Sequence, residues 1–407
     1  MALVLAGGAA RGAYEVGVVH YILEDIAREL GRPPPLDILC GTSVGAINAC
    51  ALAAAADDPD GRAERIVEHW TDLRVGHVLR FDSGEIFSML RSLLGRSAGT
   101  RKGGMLDPTG LQRVVATSID FPRIAENVRA GHVAAVTVST THIATGRTTV
   151  FVDRHEPGLP VWGRDPTIVG RRAHLTAPHA LASAAIPFIF PPVLLEGEYH
   201  CDGGLRQNVP LSPARKLGAS AMIVVSPKYD SPEPTPVAVA EEREAEFPSP
   251  IFLLGKTLNA LMLDRIENDI DRLQRITALL DAGTQIYGPD FVERMNREIR
   301  GSGSNPEKSL RPIRALLIRS SANIAERAAD FVRSPAFASR ASGMIAALFR
   351  RLGEGRESDI LSYLLFDGEF ARQLIEVGRA DARANHDELC ELFESVLSPG
   401  AAARVGT

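Results

Sequence analysis

The run Gly41-Thr42-Ser43-Val44-Gly45 has the form G-x-S-x-G and lies between a short apolar stretch, residues 36–40, and an alanine-rich helical pattern. A serine on a sharp strand-to-helix turn has its hydroxyl lifted clear of the sheet edge, above the positive end of the next helix, where developing negative charge is favoured. Glycine two positions to either side permits so strained a turn, because side chains there would clash. The chemistry such a serine offers is attack on an acyl carbon. The competing reading is a Gly/Ser loop that caps a helix with Ser43 as a bystander.

A second glycine-rich turn, Gly7-Gly8-Ala9-Ala10-Arg11-Gly12, also joins an apolar run to a helical pattern. Backbone N–H groups in such a loop converge and bind an anion. A P-loop needs Gly-Lys-Ser/Thr at its end, whereas Gly12 is followed by Ala13. A dinucleotide turn needs glycine where Ala9 stands and an acid closing the next strand, and that strand runs into Ser43 instead. The third reading is an oxyanion hole, and it explains two glycine-rich strand ends in adjacent βα units. Arg11 then either adds positive charge at the rim or forms a surface ion pair.

A serine hydroxyl needs a proton acceptor. Of the ten histidines only His386 follows residue 200, and it lies in a charged helical stretch that reads as solvated. Asp202, in His200-Cys201-Asp202-Gly203-Gly204, is the better candidate, since a strand end followed by two glycines aims a carboxylate into a cleft. Its alternative is an ordinary Asp-Gly turn.

The elements that must hold these groups follow from periodicity. Residues 2–6 are an unbroken apolar run, as in a strand buried on both faces. Val19, Ile22, Leu23, Ile26 and Leu30 have helical spacing, which Gly31 and Pro33 to Pro35 end. The alternation predicts a mainly parallel sheet with helices on its faces. Further strands are expected at 132–138, 147–152, 193–200 and 221–226. Residues 1–226 form the expected catalytic core. Residues 227–250 are proline-rich and acidic, a linker or loop. Residues 251–400 are mainly helical, with a late strand near 313–320, and are expected to pack back on the core.

The chain has 407 residues, 45 Lys+Arg against 50 Asp+Glu, a net charge of −5 and 45% apolar residues, which exclude disorder as its dominant state. The slight acidity speaks against a non-specific nucleic-acid binder and against permanent electrostatic attachment to an anionic membrane. Four cysteines without CxxC spacing suggest no zinc site and read as reduced thiols of a cytosolic protein. The start lacks the basic residues and long apolar run of a signal peptide. Residues 38–56 and 173–195 are broken by polar residues or prolines and read as buried core, not as membrane spans.

Together the three motifs resemble the patatin-like phospholipase family. Two linking stretches share the likeness: Ala182 to Pro187 through Pro191-Pro192-Val193, and Asn208-Val209-Pro210. Ser362-Tyr363-Leu364-Leu365-Phe366-Asp367 is similar to bacterial members with helical C-terminal extensions. The resemblance implies an α/β, three-layer patatin-like fold with a mainly parallel central sheet plus C-terminal helices. It implies a Ser-Asp dyad of Ser43 and Asp202 in place of a triad, with the Gly7 to Gly12 loop as oxyanion hole, Gly41, Thr42, Val44 and Gly45 as the elbow, and Gly203 and Gly204 completing the DGG motif. Ala9 departs from a glycine frequent in the family and still supplies its N–H, provided its φ is negative. An Asp202 of ordinary pKa near 4 is a weak base, so the dyad is expected to lean on the oxyanion hole and on a water-poor cleft. The implied activity is hydrolysis of fatty acyl esters of phospholipids or related lipids through an acyl-enzyme, without metal or cofactor. The expected partners are a lipid or phospholipid substrate and a transiently touched membrane surface, not nucleic acid, in a cytoplasmic protein peripheral at the membrane. An acyltransferase or thioesterase using the same dyad, and a silent lipid-binding regulator, are the alternatives. Residues 78–104, apolar with interleaved arginines, read as a lid or membrane-touching helix or as simple packing; residues 251–263 pose the same question.

Overall fold

A computed structural model describes residues 1–79, 106–160, 162, 167–229, 255–257, 259, 266–301, 310–341, 343–353 and 359–397. Most of the 78–104 stretch, most of 251–263 and the 230–250 part of the acidic loop therefore lie outside the described residues.

The strands are β1 Ala2–Leu5, β2 Ile38–Thr42, β3 Ala135–His142, β4 Thr148–Arg154, β5 Ile168–Arg172, β6 Val193–Leu195, β7 Glu198–Asp202, β8 Ala221–Tyr229 and β9 Arg314–Ser320. They form one sheet in the order β5-β4-β3-β2-β1-β8-β9, with β7 added to β3 and β6 added to β7. The run from β3 through β2, β1 and β8 to β9 is parallel throughout. β4 and β7 run antiparallel to β3. This is the mainly parallel α/β sheet expected from the sequence.

Every residue of β1 is buried, and its two faces serve different cores. Leu3 and Leu5 join one apolar cluster with the helices Gly12–Tyr21, Val44–Ala54 and Gly368–Ala384. Ala2 and Val4 join another with Leu211, Ala214 and Ile270 on the opposite face. Alternate side chains of one strand thus fill two layers, which is why its sequence shows no polar face. The larger cluster is continuous from Met1 to Phe393. One close joint is the crossing of helices Gly12–Tyr21 and Gly368–Ala384. A Cβ on Gly17 would lie 2.0 Å from the carbonyl oxygen of Ile375, and one on Gly378 would lie 2.1 Å from that of Tyr14.

Three expectations change. The stretch 193–200 is a hairpin, not one strand: Glu196 (φ 50°) and Gly197 (φ 86°) both take left-handed conformations, the two-residue turn that matches strand twist. β5 was not expected; Gly170 within it lies so close under the Trp162 indole that no side chain fits, and the resulting Gly and Arg content hides the strand. The helical run after residue 12 is α-helical over Gly12–Tyr21, passes through a π turn at Ile22–Ile26 and resumes at Ala27–Leu30, ending at Gly31 with φ 63°.

Candidate active site

The sheet register brings the serine and the aspartate together. β2 ends with Thr42 opposite Ser139 of β3. On the next rung Thr140 faces Asp202, which arrives from the other direction on β7. The two strands therefore meet nearly end to end on the same side of β3, one delivering Ser43 and the other Asp202. The Ser43 hydroxyl donates to Asp202 Oδ2 at 2.7 Å. The second carboxylate oxygen accepts the Gly204 amide at 2.7 Å, and Thr141 Oγ1 donates to the Asp202 carbonyl.

Ser43 has φ 55° and ψ −127°, the strained backbone expected of an elbow. A Cβ on Gly41 would sit 2.2 Å from the Gly45 carbonyl oxygen, and one on Gly45 would sit 2.4 Å from that of Leu5. Both glycines are thus demanded by backbone contact. Gly203 is constrained likewise, its Cβ position lying 2.3 Å from the Ser139 carbonyl oxygen. Sequence reasoning assigned no role to Ser183, whose hydroxyl accepts the Ser43 amide at 2.8 Å and donates to the Ser139 carbonyl at 2.6 Å. One hydroxyl thereby pins the elbow to β3. Thr42 adds a bond from its hydroxyl to the Gln207 carbonyl. No histidine among the described residues bonds to Ser43 or Asp202. His386 is not simply solvated: its Nδ1 meets the Tyr21 hydroxyl at 3.1 Å.

Ser43 and Asp202 are both buried, at 1% and 0% exposure. Burial disfavours the charged carboxylate and pushes Asp202 up to about 7 from 3.8, against the opposing pull of the Ser43 and Gly204 hydrogen bonds. The expected weak base of ordinary pKa is therefore corrected: the carboxylate is poised near neutrality, where a general base works best.

The six residues of the glycine-rich loop divide sharply. The Gly7 amide is taken by Asn208, through its carbonyl and its side chain. Arg11 and Gly12 donate to Gly8 and Ala9 carbonyls in the tight turn that follows. The amides of Gly8, Ala9 and Ala10 have no acceptor among the described residues. Gly7 itself abuts the elbow serine, its Cβ position lying 3.0 Å from Ser43 Cβ. Ala9 does not have the negative φ expected of it: at 48° it occupies the left-handed region, which explains why glycine suits this position. Arg11 is neither at the rim nor on the surface. Its buried guanidinium donates to Ser362 Oγ (2.9 Å), Asp359 Oδ1 (3.1 Å) and Asn259 Oδ1 (3.3 Å), and it stacks over the Tyr363 ring at 4.2 Å. The loop is thereby clasped by helix Asp359–Leu364.

With this geometry in place, the model of the Patatin family, patatin-like phospholipase, matches residues 3–215. The chain belongs to the patatin-like phospholipase family. It is 29% identical over 210 residues to the cGAMP-activated phospholipase of Pseudomonas aeruginosa (strain BWHPSA011 / Pa011), covering 51% of this chain and 53% of that one. The chain thus spans about half the length of this curated relative. Among solved structures, VipD from Legionella pneumophila aligns over 92% of this chain and 66% of its own, at 13% identity and a TM-score of 0.32.

Beside the elbow of this patatin-like core lies an apolar cavity of about 60 Å³, lined among others by Val44, Ile47, Trp70, Leu111 and Phe366. Its wall is braced by polar bonds. Asn48 donates to the Gly12 carbonyl and to Glu15 Oε2, and accepts from Trp70 Nε1 at 3.0 Å. Burial holds Glu15 well above the usual carboxylate range. Among the described residues no helix is long and apolar enough to cross a membrane.

Proposed function

We propose that the chain is a serine acyl hydrolase that cleaves fatty acyl esters of phospholipids or related lipids. The carrying observation is the 2.7 Å bond from Ser43 Oγ to a buried carboxylate poised near neutral pH. In this reading Asp202 takes the hydroxyl proton as Ser43 Oγ adds to the ester carbonyl carbon. The carbonyl oxygen becomes an oxyanion held by the Gly8, Ala9 and Ala10 amides. Collapse breaks the ester C–O bond, and Asp202 returns the proton to the departing alcohol oxygen. Water, deprotonated by Asp202, then attacks the acyl-enzyme; fatty acid leaves and Ser43 is restored. The cavity beside Val44 seats the start of the acyl chain, and the absence of bulk water around the dyad strengthens every charge interaction made there.

The test is phospholipid hydrolysis together with covalent labelling by a fluorophosphonate, with and without cGAMP because a similar protein is named for that activator. Wild type is expected to release fatty acid and to take up the label. Ser43→Ala should do neither. Labelling that persists in Ser43→Ala overturns the assignment of the nucleophile. Acyl groups recovered on an alcohol or thiol instead of as free acid would point to a transferase.

A further inference from the structure

Ile143, the residue after β3, forms a row with Tyr199 of β7 and Leu194 of β6. The Ile143 amide donates to the Tyr199 carbonyl at 2.9 Å, and Leu194 faces Tyr199 across the hairpin, so all three project from the same side. They are 47%, 52% and 55% exposed. The adjoining rung, His142, His200 and Val193, points the other way, with His200 fully buried. Nearby, Phe188 is 73% exposed with φ 68°, while Ile189 and Phe190 after it are buried. A phenylalanine held left-handed with its ring in water is costly twice over, and folding does not account for it.

We propose that this row, with Phe188, is the surface on which the chain seats against a lipid bilayer, in support of the acyl-hydrolase reading above on which it rests. Three observations commit it to a bilayer. First, the apolar surface continues inward. Leu194 also lines a cavity of about 230 Å³ with Ala185, Phe190 and Pro192, and Leu111 is shared between that cavity and the one beside Val44. A chain leaving the bilayer at the row meets mainly apolar side chains in both cavities, the second of which borders the elbow. Second, Tyr199 precedes Asp202 by three strand residues, roughly 10 Å of chain. That matches the roughly 5–10 Å depth of headgroup and acyl boundary into which an interfacial apolar face sinks. Third, the surrounding charge suits anionic headgroups. Arg147 and Arg206 are exposed beside the β3–β4 turn and have no carboxylate partner among the described residues, Arg206 reaching to 3.6 Å from the Cβ position of Gly146. Glu196 and Glu198 are meanwhile engaged by Arg171. A tyrosine at the centre of the row fits the amphipathic boundary zone. A second copy or an added β-strand at the β6 edge would use neither the arginine pair nor the inward apolar route.

The experiment measures co-sedimentation of the full chain, carrying Ser43→Ala so that lipid is not consumed, with vesicles of phosphatidylcholine alone or mixed with phosphatidylglycerol. Ile143→Ser/Tyr199→Ser is expected to weaken binding at least about tenfold. Arg147→Gln/Arg206→Gln is expected to abolish the preference for phosphatidylglycerol while leaving binding to phosphatidylcholine. In the Ser43-intact background both double variants should keep hydrolysis of soluble p-nitrophenyl butyrate within about twofold, which shows that they fold. Undiminished vesicle binding by Ile143→Ser/Tyr199→Ser overturns the proposal. So does a dimer in gel filtration that this variant dissociates without change in vesicle binding, which would assign the face to a second copy. If vesicle binding follows the expectation while wild type neither hydrolyses butyrate nor takes up a fluorophosphonate, the docking surface stands and the hydrolase reading falls.

Discussion

Replacing Asp202 by asparagine removes a charge that the fold resists. Burial places the folded carboxyl at about 7 against an ordinary 3.8, so ionisation favours the unfolded chain. With the folded pKa above the unfolded one, stability is full below about pH 4 and is lost as the pH rises to about 7, after which the loss is constant. At about 1.4 kcal/mol per pH unit, the gap between 3.8 and about 7 amounts to about 4 kcal/mol above neutrality. Between about pH 5.5 and 8.5 the wild type should lose about 2 kcal/mol that Asp202→Asn keeps. The amide cannot accept from both Ser43 and Gly204 as the carboxylate does, but that deficit does not vary with pH and drops out of the slope. Urea unfolding of both proteins at the two pH values measures the difference, and kcat/KM for a short-chain ester should fall by about 10²–10⁴ in the variant. In the wild type, kcat/KM should drop about tenfold for each pH unit below about 7 as the base is protonated. Parallel stability profiles for the two proteins would refute the displaced ionisation, and full esterase activity in a folded Asp202→Asn would refute its role as base.

Other expectations follow from single contacts. Ser183→Ala orphans the Ser43 amide, which should cost about 1–3 kcal/mol in chemical denaturation and lower kcat more than it raises KM, because the elbow loses its anchor to β3. Asn48→Leu leaves the Trp70 indole N–H without its acceptor and takes one of its hydrogen bonds from the buried Glu15 carboxyl, which keeps that from the Ala6 backbone. A loss of about 2–4 kcal/mol should appear as a lower urea midpoint with an unchanged m-value. Arg11→Met leaves the buried Asp359 with Lys256 as its one remaining cation among the described residues, and should cost about 3–5 kcal/mol and slow fluorophosphonate capture. A thermal scan and a labelling time course check the two effects.

The glycine-bounded motifs were legible because backbone crowding dictates their residue types. Gly41 and Gly45 are glycine for want of space, and such a constraint shows in the sequence whatever lies elsewhere. Asp202 was legible as a strand end before two glycines, but its raised pKa was not: burial comes from layers that the local sequence does not name. Ser183 was hidden because a serine within an alanine-rich helix has no periodic signature, and its role depends on two chain segments meeting there. Arg11 was misread for the same reason. Its partners Asp359, Ser362 and Tyr363 lie far along the chain, and no local pattern joins them to a glycine loop at the start. The hairpin at Glu196-Gly197 merged into one expected strand because a glutamate rarely adopts a left-handed backbone.

The clasp on Arg11 also sets a timetable. Ser362 stands 351 positions after the arginine it receives. On a ribosome, serine, aspartate and glycine cradle all emerge long before the side chains that steady the cradle. A nascent chain therefore holds these groups unbraced until the helix Asp359–Leu364 has been made and folds back on the loop.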